Sequence, residues 1–205
     1  MPLVTAGYNA ALSGGLANAI QYISVHNGDP STTGANELAG GSPAYARKAV
    51  SWAAASSGQD SSSADLTFDV PAGTTAYHLG FWSAVTTGTF YGYFPLGGFA
   101  TKAATVLASS DVFTSYAHGY ADGQQLLIYD IAAAGVPTGL TEGTVYFVLA
   151  STTDTFQVSA TSGGSAVNVT ANGQAAVQRV LPESFGAQGQ LIVAAGSLTL
   201  DARFA

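Results

Sequence analysis

The sequence predicts an all-β protein: a split, sandwich-like domain with one N-terminal helix, interrupted by a small inserted β-barrel or sandwich module. Three observations carry this expectation. Short runs rich in Val, Ile, Leu, Thr, Tyr and Phe recur along the 205 residues, turns containing Gly, Pro, Asn or Asp separate them, and helical periodicity is confined to the beginning of the chain.

The helical signal runs from Ala6 to Ile20, where Tyr8, Leu12, Leu16 and Ile20 fall four residues apart and would share one face. Gly14-Gly15 weakens this helix by about 1 kcal/mol per glycine, so it is expected to form only when packed. Tyr22-Ile23-Ser24-Val25 reads as a first strand, and the Gly-, Pro-, Asn- and Thr-rich run 27–42 as a long loop. Strands are then expected at Ala49–Trp52 and Leu66–Val70, with a turn at Pro71-Ala72-Gly73. A hairpin follows, its arms near 77–82 and 90–96. Both of its faces carry aromatic residues, which predicts cover on two sides.

From Asp111 the chain reads as a second row of strands: Val112–Tyr116, Gln125–Tyr129, Thr144–Leu149, Thr155–Ser159, Ala166–Thr170 and Ala176–Leu181. That is enough for a small barrel or sandwich. The tail regains strand character at Leu191–Val193 and Ser197–Leu200, too short to stand alone. Pairing of this tail with the first block would make 1–109 plus 184–205 one discontinuous attachment domain, and 110–183 an inserted module.

Composition narrows the function. Charged residues are 8 % of the chain, and five basic residues face twelve acidic ones. The only adjacent basic pair is Arg47-Lys48, so no stripe could neutralise a run of phosphates, and nucleic-acid binding is excluded. The same shortage, without a basic amphipathic helix or an apolar run of membrane-spanning length, argues against membrane binding. No basic-then-apolar leader follows Met1-Pro2-Leu3, so synthesis in a cytoplasm is the expectation. The absence of Cys removes disulfides and thiolate chemistry.

Catalysis would need a base from His26, His78 or His118. Each occupies a turn or an alternating strand position, and no Gly-x-Ser-x-Gly elbow accompanies them, so structural roles are favoured. Asp65 and Asp69, four apart on one candidate strand, would lie about 13 Å apart, too far to act on one bond. Asp29, Asp122 and Asp154 read as turn formers rather than calcium ligands. No catalytic, cofactor-binding or metal residues are therefore assigned. Tyrosine is the one excess with binding potential, as a platform for sugar rings or an anchor at a protein interface. Tyr91 and Tyr93, expected on a shared face, and Trp82 are the candidate interface residues.

Two lysines, Lys48 and Lys102, leave the predicted strands almost without charged edges. Solitary β-proteins guard open edges with charge or Pro, or close them, so a homo-oligomer held by neighbouring subunits is expected.

Two stretches carry a family likeness. The run from His26-Asn27-Gly28-Asp29-Pro30 through Asn36-Glu37, continued by Gly41-Ser42-Pro43-Ala44-Tyr45-Ala46-Arg47, resembles small structural proteins of tailed phages of the minor tail, fibre or head-decoration type. Phe68-Asp69-Val70-Pro71-Ala72-Gly73-Thr74-Thr75 with Gly80-Phe81-Trp82-Ser83-Ala84 resembles the same family. The second block is similar to a β-module of phage tail-associated proteins through Ala117-His118-Gly119, Leu140–Tyr146 and Thr153–Ser159. The resemblance implies a non-enzymatic virion protein, a minor tail or fibre component or a capsid decoration protein, without cofactors. Its implied partners are other virion proteins, of the tail or the major capsid. A host-surface glycan is the alternative partner, taken by the inserted module.

Overall fold

The computed structural model describes residues 9–97, 101–131 and 135–201. The described residues are all-β apart from one short helix, and the chain divides into two compact units, Met1–Phe94 with Glu183–Ala205, and Pro95–Pro182.

The helix departs from the expected register. Leu12–Leu16 form a π turn, closed by the Ala17 N–H donating to the Leu12 carbonyl, and Ala17–Ala19 continue as α-helix. The wider turn contains the two glycines, and it rotates the face by one residue. Leu12, Ala17 and Ile20 are buried, whereas Leu16 is 42 % exposed. Tyr8, the first residue of the expected stripe, lies outside the described residues.

In the first unit β1 (Tyr22–His26), β2 (Lys48–Ala49), β3 (Gln59–Ser61), β4 (Leu66–Val70), β5 (Thr74–Ala76), β6 (His78–Trp82) and β7 (Phe90–Pro95) follow in order. A four-stranded sheet is ordered β2-β1-β6-β7. The register pairs Tyr22 with Trp82, Ser24 with Gly80 and His26 with His78. One face of β1 and β6 is therefore apolar, with Ile23, Val25 and Leu79 fully buried; the other carries Ser24, His26, His78 and Trp82, all buried as well. The β6 arm of the hairpin is covered on both sides, whereas the β7 arm leaves Tyr91 exposed.

The second unit is a closed antiparallel barrel of β8 (Thr101–Leu107), β9 (Val112–Thr114), β10 (Gln125–Tyr129), β11 (Val145–Leu149), β12 (Thr155–Ser159) and β13 (Gly173–Val180), ordered β10-β11-β12-β9-β8-β13. Phe113, Leu126, Ile128, Val148, Phe156, Val158 and Val177 fill it. Stacking of Phe113 on Phe156, with centroids 5.1 Å apart, holds its centre. Two expectations change here. Residues 101–107 supply a barrel strand, so this unit begins before Asp111. Residues 166–170 form no strand: Ala166 makes an isolated bridge to Ser159, while Val169 still enters the core.

The tail returns as β14 (Glu183–Phe185), β15 (Gly189–Val193) and β16 (Thr199–Asp201). They pair in reverse order with β5, β4 and β3, Glu183 opposite Ala76, Val193 opposite Leu66, and Asp201 opposite Gln59. Segments 59–76 and 183–201 thus run antiparallel as three successive ladders, and the tail supplies the partner strands for β3, β4 and β5.

A closed barrel with its own apolar centre has no open edge and needs no outside strand. Residues 95–182 expressed alone are expected to unfold in one cooperative thermal transition. Residues 1–94 alone, deprived of β14–β16, should show no such transition by circular dichroism.

Candidate functional site

The buried polar face of the first sheet is a chain of hydrogen bonds that fastens the 27–47 loop. The Trp82 Nε1–H donates to the Ser24 hydroxyl at 2.9 Å, and the Ser24 hydroxyl lies 2.6 Å from His26 Nε2. The Ala35 carbonyl can only accept, so His26 Nδ1–H donates to it at 2.7 Å, and Nε2 of the neutral ring accepts the Ser24 O–H. His78 Nδ1–H donates to the Gly28 carbonyl at 3.0 Å, and its Nε2 has no hydrogen-bond partner. Each histidine therefore grips a loop carbonyl. Desolvation holds both imidazoles below the ordinary histidine range, His78 down to about 4, against the weaker raising effect of those carbonyls.

A Ser–His contact of this length resembles half of a hydrolytic centre. Ser24 and His26 are both fully buried, and among the described residues His26 Nδ1 is oriented by the Ala35 carbonyl rather than by a carboxylate. A Cβ at Gly80 would overlap both the Ser24 hydroxyl and His26 Nε2, so the packing leaves no room for a substrate carbonyl. His26 is thus the last residue of β1 rather than part of a turn, and the pair is a brace.

Above this face sits the least sequence-visible part of the site. Arg47 forms a two-pronged ion pair with Glu37, Nε to Oε1 at 2.8 Å and Nη2 to Oε2 at 2.7 Å. Its Nη1 donates to the carbonyls of Ala84 and Thr87, at 3.0 and 2.7 Å, and its guanidinium carbon lies 3.5 Å from the Trp82 ring centroid. Tyr45 adds a link between strand and loop: its hydroxyl accepts the Val25 N–H at 2.8 Å and donates to Glu37 at 3.3 Å. Burial pushes the Tyr45 phenol up, keeping it a neutral donor. Gly34 packs against the Trp82 indole; its φ of +74° and the overlap that a Cβ would make with the ring both require glycine. The signal for this cluster was the scarcity of charge itself, since a chain with so few cations has few pairs to form. The adjacent cations separate: Arg47 turns to Glu37, and Lys48 reaches Asp69 at 3.7 Å.

The candidate interface residues are placed unevenly. Trp82 is 7 % exposed and lies in this stack, so it supports the surface from beneath. Tyr91 is 46 % exposed. Tyr93 is half-buried, its ring nearly parallel to that of Phe90 at 6.3 Å and edge-on to His78 at 5.4 Å. Phe90 and Tyr93 thus share a side although three residues apart, because Gly92, with φ +144°, breaks the alternation; Tyr91 and Tyr93 do not form one face.

The single acids also do other work than expected. Asp29 makes a local turn, its Oδ1 accepting the Ser31 N–H at 2.9 Å. Asp122 and Asp154 instead accept the Ser151 and Ala117 N–H groups, tying distant loops together. Asp65 precedes β4 and accepts the Ala195 N–H, so it and Asp69 do not share that strand. Among the described residues no three His, Asp or Glu side chains converge as a metal cluster, and no helix is long and apolar enough to cross a membrane.

On this sheet face Ser24, His26 and His78 spend hydrogen bonds on holding a loop in place, which is a structural role. The family comparison agrees: the model described as "Podophage GP4 fiber I protein gp80" matches residues 9–119, from the helix through β9. The chain belongs to this family of bacteriophage structural fibre proteins. No curated protein and no solved structure matches it.

Arg47→Ala is expected to lower the unfolding free energy of the first unit by about 3 kcal/mol, since it strands Glu37 and uncovers Trp82. Urea titration checks this, and Arg47→Lys should recover less than half the loss because an ammonium cannot reproduce the fork. A histidine whose folded pKa is depressed binds its proton more readily when unfolded, so stability is full above the unfolded value of about 6.5 and falls as pH drops towards about 4. For His78 the loss approaches about 3 kcal/mol at the lower end. Urea midpoints at pH 7.5 and pH 5 should show that fall, and His78→Asn should flatten it.

Proposed function

We propose that this chain is a non-enzymatic fibre component of a tailed-phage virion, which assembles with further copies of itself and attaches to other virion proteins. The observation that carries the reading is the fibre-family match over residues 9–119. Two surface features support it. Among the described residues β7 is the outer strand of its sheet, Phe-Tyr-Gly-Tyr-Phe-Pro without a single charge, and it presents Tyr91. On β15, equally uncharged, Ile192 is 59 % exposed. Outer strands of this composition invite pairing with a neighbour, and burial of Tyr91 would anchor the contact. A specific interface of this kind would cover on the order of 1,000 Å².

In this reading the first unit is the attachment part and the barrel is a module inserted into it, facing away from the particle. Most of the family match falls on the first unit, and insertions concentrate at exposed loop tips.

Immunogold electron microscopy of whole particles tests the location. Label on fibres is the expected result, label over the head surface would favour capsid decoration, and particles free of the chain would reject a virion role. In solution, light scattering should find the native chain as an oligomer and Tyr91→Lys as a smaller species; a native monomer would remove self-assembly from the proposal.

A further inference from the structure

Residues 28–35 form a flap within the loop between β1 and β2, and two imidazoles close it. The flap is tied at its base, where the Asn27 N–H donates to the Asn36 carbonyl at 3.0 Å and Asn36 Nδ2–H to the Asp29 carbonyl at 2.8 Å. Across its turn the Ala35 N–H donates to the Pro30 carbonyl at 2.8 Å. Among the described residues its hydrogen bonds to the sheet are the two histidine bonds alone, His78 Nδ1–H to the Gly28 carbonyl and His26 Nδ1–H to the Ala35 carbonyl. The remainder of the loop is fastened without histidine. Arg47 pairs with Glu37, the Tyr45 hydroxyl and the Leu38 N–H bond the backbone of Val25, and the Gln188 amide accepts the Ser42 N–H and donates to the Pro43 carbonyl.

Both rings carry their proton on Nδ1, so a second proton has to enter at Nε2. At His78 that atom is buried without a hydrogen-bond partner, and a charged N–H placed there has no acceptor. At His26 it already accepts the Ser24 O–H, whose oxygen takes the Trp82 N–H. A proton on that nitrogen aims a second donor at the Ser24 oxygen and leaves the Ser24 proton without its acceptor. The two residues are direct partners across β1 and β6, so two charged rings would also face each other.

The charges around the rings do not repair this. Asp29 and Glu37 attract a proton and Arg47 repels it, but Glu37 is paired with Arg47, Asp29 Oδ1 takes the Ser31 N–H, and neither carboxylate bonds either ring. Tyr45 turns its hydroxyl to Val25 and Glu37, and Tyr93 of β7 meets His78 edge-on. The closed flap thus accepts only neutral rings, whereas an open one lets water solvate an imidazolium. We propose that flap 28–35 is an acid-released latch: protonation of His78 and His26 frees it from the sheet and uncovers the Trp82 and Phe90 rings on which Gly34 packs, while 37–47 and the strands stay in place. The event is local, and it precedes unfolding of the unit as pH falls.

Hydrogen–deuterium exchange of the full chain at pH 7.5 and pH 5, with rates corrected for the intrinsic effect of pH, tests it. With the closed His78 ring at about 4 and a solvated one at about 6.5, the open fraction of the flap should rise about thirtyfold over this interval. The amides of 31–35 should lose protection by that factor, and those of β1 and β6 by less than about threefold. His78→Asn keeps a donor for the Gly28 carbonyl and does not titrate, so it should remove most of the rise. Equal loss of protection in the flap, β1 and β6 means that the unit opens as a whole and overturns the proposal. A flap equally protected at both pH values, or a full rise in His78→Asn, overturns it as well. The native comparison decides by itself if the variant fails to fold.

Discussion

The first unit depends on the packing of Arg47 against Trp82. One guanidinium satisfies a carboxylate and two carbonyls and covers an indole, and these partners come from two separate stretches of chain: Glu37 in the loop, and Trp82 at the end of β6 with Ala84 and Thr87 in the turn that follows it. The Arg47 side chain is 8 % exposed and that of Glu37 21 %. Charges so far removed from water are stable only when their geometry is complete, and here the forked pairing and the carbonyls complete it. A loop of some twenty residues without regular structure thereby acquires a fixed course.

The histidines extend the same principle beneath the indole. A sheet face bearing Ser24, His26 and His78 would be poorly stable against water-excluding cover unless each polar atom were matched. The loop's own carbonyls at Gly28 and Ala35 provide the match, so loop and sheet satisfy one another. The unpartnered Nε2 of His78 is consistent with a ring held neutral, in which that nitrogen carries a lone pair and no proton. The face is polar in composition yet behaves as core.

The elements that alternation governs were legible in the sequence. Leu66-Thr67-Phe68-Asp69-Val70 buries every second side chain, and Gln125–Tyr129 and Thr155–Ser159 lie where their β-branched and aromatic runs predict. The failures have distinct causes. The π turn at Gly14-Gly15 changes the helical period, so Leu16 leaves the face that a spacing of four assigns to it. Thr101–Leu107 is short of large apolar residues, and only Ala104 and Val106 turn inward, so β8 gave a weak signal. Val167 and Val169 have strand spacing, and the Val167 N–H does donate to the Val158 carbonyl of β12, but the Val169 N–H donates to Asp111 Oδ1 and that of Thr170 to the Thr138 carbonyl, so the ladder stops after one bridge while Val169 fills the barrel. Of the candidate interface residues, Tyr91 has the exposure expected of it; Trp82 is hidden because its cation partner, ten positions from Glu37 and thirty-five from Trp82, leaves no local pattern to read.

The reversed pairing of the tail has a consequence for how the molecule is made. Synthesis completes the barrel's last strand at Val180, so that unit can close while β3, β4 and β5 still wait for partners. Those three strands acquire their hydrogen-bonding neighbours in turn, β5 first and β3 last, as positions 183 to 201 leave the ribosome. A polypeptide interrupted before this point carries a finished barrel beside a first unit whose β3, β4 and β5 have no partner strands, so the first unit is the last part of the molecule to be completed.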